Sequence, residues 1–169
     1  AGFPDFATLP RPIVTLLLGG PVRAEGMEPR LAARIATEAA ALGSSVLATA
    51  SRRTGAAATE AVAEALKKIP HRLYPWGGSG ANPYGAMLGM ADVLVVTGDS
   101  ISMLSEALMT TAPLLIADPG GLGPRHQSVA ESLIAAGLAA RLGEPLPPTR
   151  AARDETGRIA AEIHARGWA

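Results

Sequence analysis

Cysteine is absent from the 169 residues, and histidine occurs only three times. Thiolate zinc sites, iron–sulfur clusters, disulfides and a cysteine nucleophile are therefore excluded. Aromatic residues are scarce, with two each of Trp, Tyr and Phe. Neither sign of charge prevails: 15 basic residues balance 15 acidic ones. That balance gives no overall electrostatic case for a nucleic-acid partner or an anionic membrane. Apolar runs such as Ile13–Leu18 fall far short of the ~20 residues that span a bilayer. The basic segment and long apolar core of a secretory leader are missing as well. Also missing are GxGxxG, a Walker lysine after the first glycines, and a Gly-x-Ser-x-Gly elbow. An NAD-type dinucleotide site and a serine hydrolase thus have no support. Asp118 has no carboxylate partner at a defined spacing, so no glycosidase-like pair is visible.

What is present is an apolar, lightly charged chain. Hydrophobic residues make up 48%, charged residues 18%, and mean hydropathy is +0.22. This is enough for a sizeable core and, at ~100–200 residues per domain, for one domain or part of a larger protein. The chain opens at Ala1 on a proline-bearing stretch, AGFPDFATLPRP, and the core pattern starts abruptly at Ile13. Residues 1–12 are read as a linker, and the chain as the second half of a two-domain protein.

From Ile13 onward, apolar runs alternate with helical patterns. The runs Ile13–Leu18, Ser45–Thr49, His71–Tyr74, Asp92–Thr97, Leu114–Ala117 and Ala139–Leu142 read as strands. Pro29–Leu42 places Leu31, Ile35, Ala39 and Leu42 on one helical face, with Gly43 as the stop. Ala57–Lys68, Pro83–Met90, Ser100–Thr110 and His126–Ala136 read as further helices, the last capped by Gly137. A final helix is expected over Arg150–Arg166. Strands that are continuously apolar are buried on both faces, so the fold class is α/β, a doubly wound parallel sheet. The domain proper spans 13–149, with 150–169 as a terminal helix.

Ligands in such a sheet bind where the strands end, near the switch point. Gly19-Gly20 follows the first strand. There a small backbone either approaches a phosphate or simply makes a tight turn. Arg52 and Arg53 follow the second strand, either as a guanidinium clamp for phosphate or as solvated charge. After the fourth strand comes TGDSISMLSEAL. Asp99 or Ser100 caps the next helix, and the N–H groups of Ser100, Ile101 and Ser102 form a candidate anion site. Glu106, one turn beyond Ser102 on the same face, is placed to accept two ribose hydroxyls, or else faces solvent. Trp76 lies in the loop PWGGSGA, close to Asn82-Pro83-Tyr84, where an aromatic can hold a base or fill a gap in the core. Arg125, His126 and Gln127 open the helix after the fifth strand. For His126 a polar binding role is preferred to a proton shuttle.

The order of these motifs resembles the C-terminal, nucleotide-sugar-binding half of GT-B glycosyltransferases, the peptidoglycan N-acetylglucosaminyltransferase type above all. Glu106 matches the Glu that holds the ribose there, and Gln127 a Gln that reaches the donor sugar. More specifically, Ser51-Arg52-Arg53-Thr54, Trp76, Asn82-Pro83-Tyr84 and Thr97-Gly98-Asp99-Ser100 are similar to bacterial members of the mitochondrial-fission "elongated mitochondria" family. Ser102-Met103 and Ser105-Glu106-Ala107 extend that likeness, which runs from about Ile13 to Leu142. The resemblance implies a Rossmann-like sheet of six strands in the order 3-2-1-4-5-6. It implies a nucleoside diphosphate sugar as the ligand, with no cofactor and no metal. Gly19, Gly20, Arg52, Arg53 and the helix start at Ser100 would hold the diphosphate, and the loop at Trp76 the base. Glu106 would hold the ribose, and His126 and Gln127 the sugar.

The acceptor base of such enzymes comes from an N-terminal half that is not in this sequence, so the fragment alone is expected to bind a donor without completing transfer. The partners expected are the nucleotide sugar and that other half, with no nucleic acid. The location expected is the cytoplasm, with any membrane association peripheral and through the other half. The competing reading is a non-catalytic partner-binding domain of the same fold, acting in membrane division or envelope assembly. An epimerase or dehydrogenase is a poorer match, because Tyr84 is followed at i+4 by Leu88 and not by Lys.

Overall fold

The computed structural model describes Phe6 and residues 8–19, 26–74 and 83–147. Strand β1 (Ile13–Leu18) leads to helix α1 (Pro29–Ala40). Strand β2 (Ser45–Ala50) runs into a 3-10 turn (Arg52–Thr54) and helix α2 (Ala56–Leu66). Strand β3 (His71–Tyr74), helix α3 (Tyr84–Met90), strand β4 (Val93–Thr97), helix α4 (Ile101–Ala107), strand β5 (Leu114–Ala117), helix α5 (Pro124–Ala135) and strand β6 (Ala140–Arg141) complete the series. All five strand pairings are parallel, in the order β3-β2-β1-β4-β5-β6. This is the doubly wound, Rossmann-like sheet expected, with its switch point between β1 and β4.

The apolar runs account for the two layers. Every residue of β1, β4 and β5 is buried. Alternate side chains of a strand point to opposite faces. Val14, Leu16 and Leu18 thus pack with α1 and α2, whereas Leu17, Leu94 and Val96 pack with α4 and α5. The one hydroxyl inside β1, on Thr15, donates to the Met87 carbonyl at 2.8 Å, so its burial leaves no orphan.

A third cluster closes the sheet face over β1 and β2. It joins Ile13, Leu47 and Met87 to Phe6 and Leu9, with Tyr74 edge-on to Phe6 at a centroid distance of 6.0 Å. Described residues of the stretch read as a linker therefore contribute to this core. They are also tied down by polar contacts. Ser45 Oγ donates to the Pro10 carbonyl at 2.7 Å, and Arg11 pairs with Asp92 at 2.8 Å. Asp92 in turn accepts the Ile13 N–H at 2.7 Å.

Most helix ends lie one to three residues from the sequence reading, and two C-terminal ends show why. Helix α4 stops three residues short of Thr110. The N–H groups of Met109 and Thr110 reach back only three residues, to Glu106 and Ala107, and the Thr110 hydroxyl also donates to the Ala107 carbonyl. The last turn is thus tightened out of α geometry. Helix α5 ends on Gly137 at φ +76°, as expected. The Gly137 and Leu138 N–H groups bond to Ile134 and Leu133, the paired closure that a left-handed glycine permits. The expected terminal helix over Arg150–Arg166 lies outside the described residues.

Candidate functional site

The site is built on Gly19, the residue that leaves β1 at the switch point. Its N–H donates to the Thr97 hydroxyl at the end of β4, at 2.8 Å. Its carbonyl accepts the Thr54 hydroxyl, which also lies 3.2 Å from the Leu18 carbonyl. Thr54 Oγ1 accepts the Ser51 N–H at 3.0 Å, and both threonines are wholly buried. Two hydroxyls therefore lock the ends of β1, β2 and β4 together, one on the N–H and one on the carbonyl of a single residue. Neither threonine was singled out for this by the sequence.

Gly19 is required by tertiary approach. A Cβ there would lie 2.7 Å and 2.9 Å from the two carboxylate oxygens of Asp99. Asp99 is 6% exposed and faces Arg53, whose Nη2 is 3.6 Å from Oδ2. Of the two residues that the sequence allowed as cap, Ser100 performs the task, accepting the Met103 N–H at 3.3 Å. The Ser100 N–H itself reaches the Thr97 carbonyl at 3.4 Å. Expected as part of an open anion site, that N–H instead points back into the turn. The first-turn groups beyond intrahelical reach are those of Ile101 and Ser102, on a helix of seven residues.

The two arginines differ. Arg53 is partly covered and turned to Asp99, whereas Arg52 is exposed and makes no ion pair among the described residues. Gly98 has its N–H on the Ala117 carbonyl at 2.8 Å. A Cβ on it would sit 3.2 Å from Ile116 and 3.3 Å from Leu122, so the loop after β5 closes over the turn after β4.

Glu106 is exposed, but it is not free-standing. The Tyr84 hydroxyl donates to its Oε1 at 3.0 Å. Burial raises the Tyr84 pKa well above the ordinary phenol value, and the hydrogen bond and charge of Glu106 add to the shift.

The sequence profile of the mitochondrial fission ELM1 family matches residues 2–167. The chain belongs to that family. It is 28% identical over 176 residues to the mitochondrial fission protein ELM1 of Arabidopsis thaliana, covering 97% of this chain. The chain spans 41% of that relative's length. Among solved structures, the molybdenum cofactor carrier protein of Chlamydomonas reinhardtii aligns at a TM-score of 0.47 and 19% identity, covering 92% of this chain and 98% of that one.

Within this ELM1-family fold the remaining candidates fall in two places. Gln127 does not join the cluster around Gly19: its amide donates to the Leu122 carbonyl at 2.9 Å. It lines a separate cavity of about 340 Å³ walled by Arg34, Ile35, Asp118 and Arg141, among others, and none of Gly19, Arg53, Ser100 or Glu106 lines it. His126 is half-buried in the first turn of α5. Gly20 and Trp76 lie outside the described residues. Among the described residues, no helix is long and apolar enough to cross a membrane.

Proposed function

We propose that this domain binds a nucleoside diphosphate sugar, as the donor half of a glycosyltransferase-like protein. The observation that carries the reading is the meeting of Gly19, the Arg52–Thr54 turn and the start of α4 at the switch point of the sheet. A diphosphate laid over Gly19 would meet the Ile101 and Ser102 N–H groups and the exposed guanidinium of Arg52. Arg53 would exchange Asp99 for phosphate oxygens, whose geometry its fork matches. Glu106 would accept the ribose hydroxyls. Gly20 and Trp76 would complete the phosphate and base contacts, and His126 and Gln127 those to the sugar. Transfer at the anomeric carbon would need the acceptor base of a second half, while the arginines stabilise the departing diphosphate. Any membrane association would be peripheral and through that half.

One observation favours the second reading, a partner-binding domain. The Asp99 carboxylate already lies against Gly19 and faces Arg53, which lowers the positive potential at the phosphate position. The two readings separate in one experiment. Affinities for uridine and guanosine diphosphates and for inorganic diphosphate are measured by NMR titration of the wild type and Glu106→Ala. The donor reading expects weak binding by the wild type. It expects Glu106→Ala to lose ribonucleotide affinity by roughly ten- to a hundred-and-fifty-fold, as for a lost hydrogen bond to a charged group of ~1.5–3 kcal/mol. Inorganic diphosphate, which has no ribose, should be unaffected. Absence of nucleotide binding at millimolar concentration leaves the partner-binding reading.

A further inference from the structure

Glu106 presents a long side chain at an exposed position, and such side chains normally sample many rotamers. A carboxylate in that condition discriminates poorly between a vicinal diol and water, because binding must first freeze it. Here it is not in that condition. Tyr84 opens α3, and its ring packs against the cluster formed by α4, α5 and the sheet, beside Leu88. From that anchored ring the hydroxyl donates to Glu106 Oε1 at 3.0 Å, across 22 residues of sequence. A tyrosine side chain has two χ torsions and little freedom once its ring is packed, so it can hold a flexible partner at low entropic cost. A phenol is protonated, and therefore a donor, throughout the neutral range, and burial of Tyr84 extends that range upward.

We propose that Tyr84 is the positioning residue of this site, holding the Glu106 carboxylate so that it accepts the 2′- and 3′-hydroxyls of a ribonucleotide. The inference rests on the donor reading above. Each carboxylate oxygen can accept more than one hydrogen bond, so the Tyr84 contact leaves capacity on both for a diol. Oε2 makes no hydrogen bond among the described residues. Ser102, one turn earlier on the same face, is exposed, with its hydroxyl 3.4 Å from that of Ser100. Glu106 thus shares its exposed helix face with the start of α4, where the diphosphate is proposed to lie.

The test compares Tyr84→Phe, which keeps the packed ring, with Glu106→Ala and the wild type. The first measurement needs no ligand: 13C relaxation of the Glu106 side chain. Tyr84→Phe should increase its ps–ns motion, and unchanged motion overturns the proposal. The second is the ratio of affinities for uridine diphosphate and its 2′,3′-dideoxy analogue, by NMR titration. The wild type should favour the ribonucleotide by roughly tenfold or more. Tyr84→Phe should cut that preference about fivefold with dideoxy binding unchanged, and Glu106→Ala should abolish it. A preference kept in full by Tyr84→Phe overturns the positioning role while leaving the donor reading intact. Failure of the wild type to bind either nucleotide overturns the donor reading itself, and the ribose assignment with it.

Discussion

Thr54→Val removes one hydroxyl while nearly conserving volume, and so isolates the polar lock at the strand ends. The side chain is wholly buried, so water cannot replace what is lost. Thr54 Oγ1 supplies the hydrogen bond to the Gly19 carbonyl and accepts the Ser51 N–H. Ser51 N–H retains the Leu18 carbonyl at 3.1 Å, so one acceptor, Gly19 O, bears most of the loss. Leaving a buried group unsatisfied costs about 1–3 kcal/mol. For a domain of this length that corresponds to roughly 2–12 °C in Tm. Urea unfolding followed by circular dichroism, with linear extrapolation, measures the difference. Thr59→Val is the matched control. Thr59 Oγ1 donates to the Gly55 carbonyl at 2.7 Å, but that carbonyl also accepts the Thr59 N–H at 3.1 Å and is not orphaned. The control should stay within about 0.5 kcal/mol of wild type. Thr54→Val proving no more costly than Thr59→Val would refute the claim that the hydroxyl lock holds these strand ends together.

Gly19→Ala should destabilise by about 1–3 kcal/mol in the same assay, because the new methyl meets the Asp99 carboxylate at 2.7 Å; pairing it with Asp99→Ala should recover part of the loss. Gly26→Ala should cost at least as much. Its φ of +76° disfavours a side chain, and the added Cβ would lie 2.5 Å from the Thr54 carbonyl oxygen, which is backbone and cannot swing away. Stability should fall as pH rises above about 10, the ordinary phenol value: Tyr84 then ionises in the unfolded chain while burial keeps it protonated in the folded one. That contribution is fully present below pH ~10 and is lost as pH rises toward the folded-state value. Tyr84→Phe should flatten the alkaline limb, read as unfolding free energy against pH, and an unchanged limb would contradict the assignment.

Ile13–Leu18 and Leu114–Ala117 were legible because burial on both faces writes itself as a nearly uninterrupted apolar run, and both agree with the sequence reading at both ends, bounded by Gly, Pro or Asp. The half-buried edge strand His71–Tyr74 was legible from the prolines on either side of it. Phe6 and Leu9 were not legible as core. Two apolar residues among prolines show no periodicity, and only the tertiary fold brings them onto Leu47 and Met87. The motif after β4 disclosed its turn and its cap, but Asp99 and Ser100 are equally good caps locally. What separates them is the approach of Asp99 to Gly19, 80 residues away in sequence. That Glu106 shares an exposed face of α4 with Ser102 was legible from their spacing. The Tyr84 partner of Glu106 was not, since a hydrogen bond between two helices leaves no pattern in either one. Thr54 was hidden because a buried threonine after a strand reads like any β-branched residue until the carbonyl it meets is known.

We propose above that a nucleoside diphosphate seats at the strand ends around Gly19. It is tested most directly by assigning the backbone amides and titrating uridine diphosphate into the wild-type protein. Shifts are expected to concentrate at Gly19, Arg52, Arg53, Ile101, Ser102 and Glu106, with inorganic diphosphate moving the same amides except those around Glu106. Shifts confined to the separate cavity beside Arg34 and Arg141, or no shifts at millimolar ligand, would contradict it.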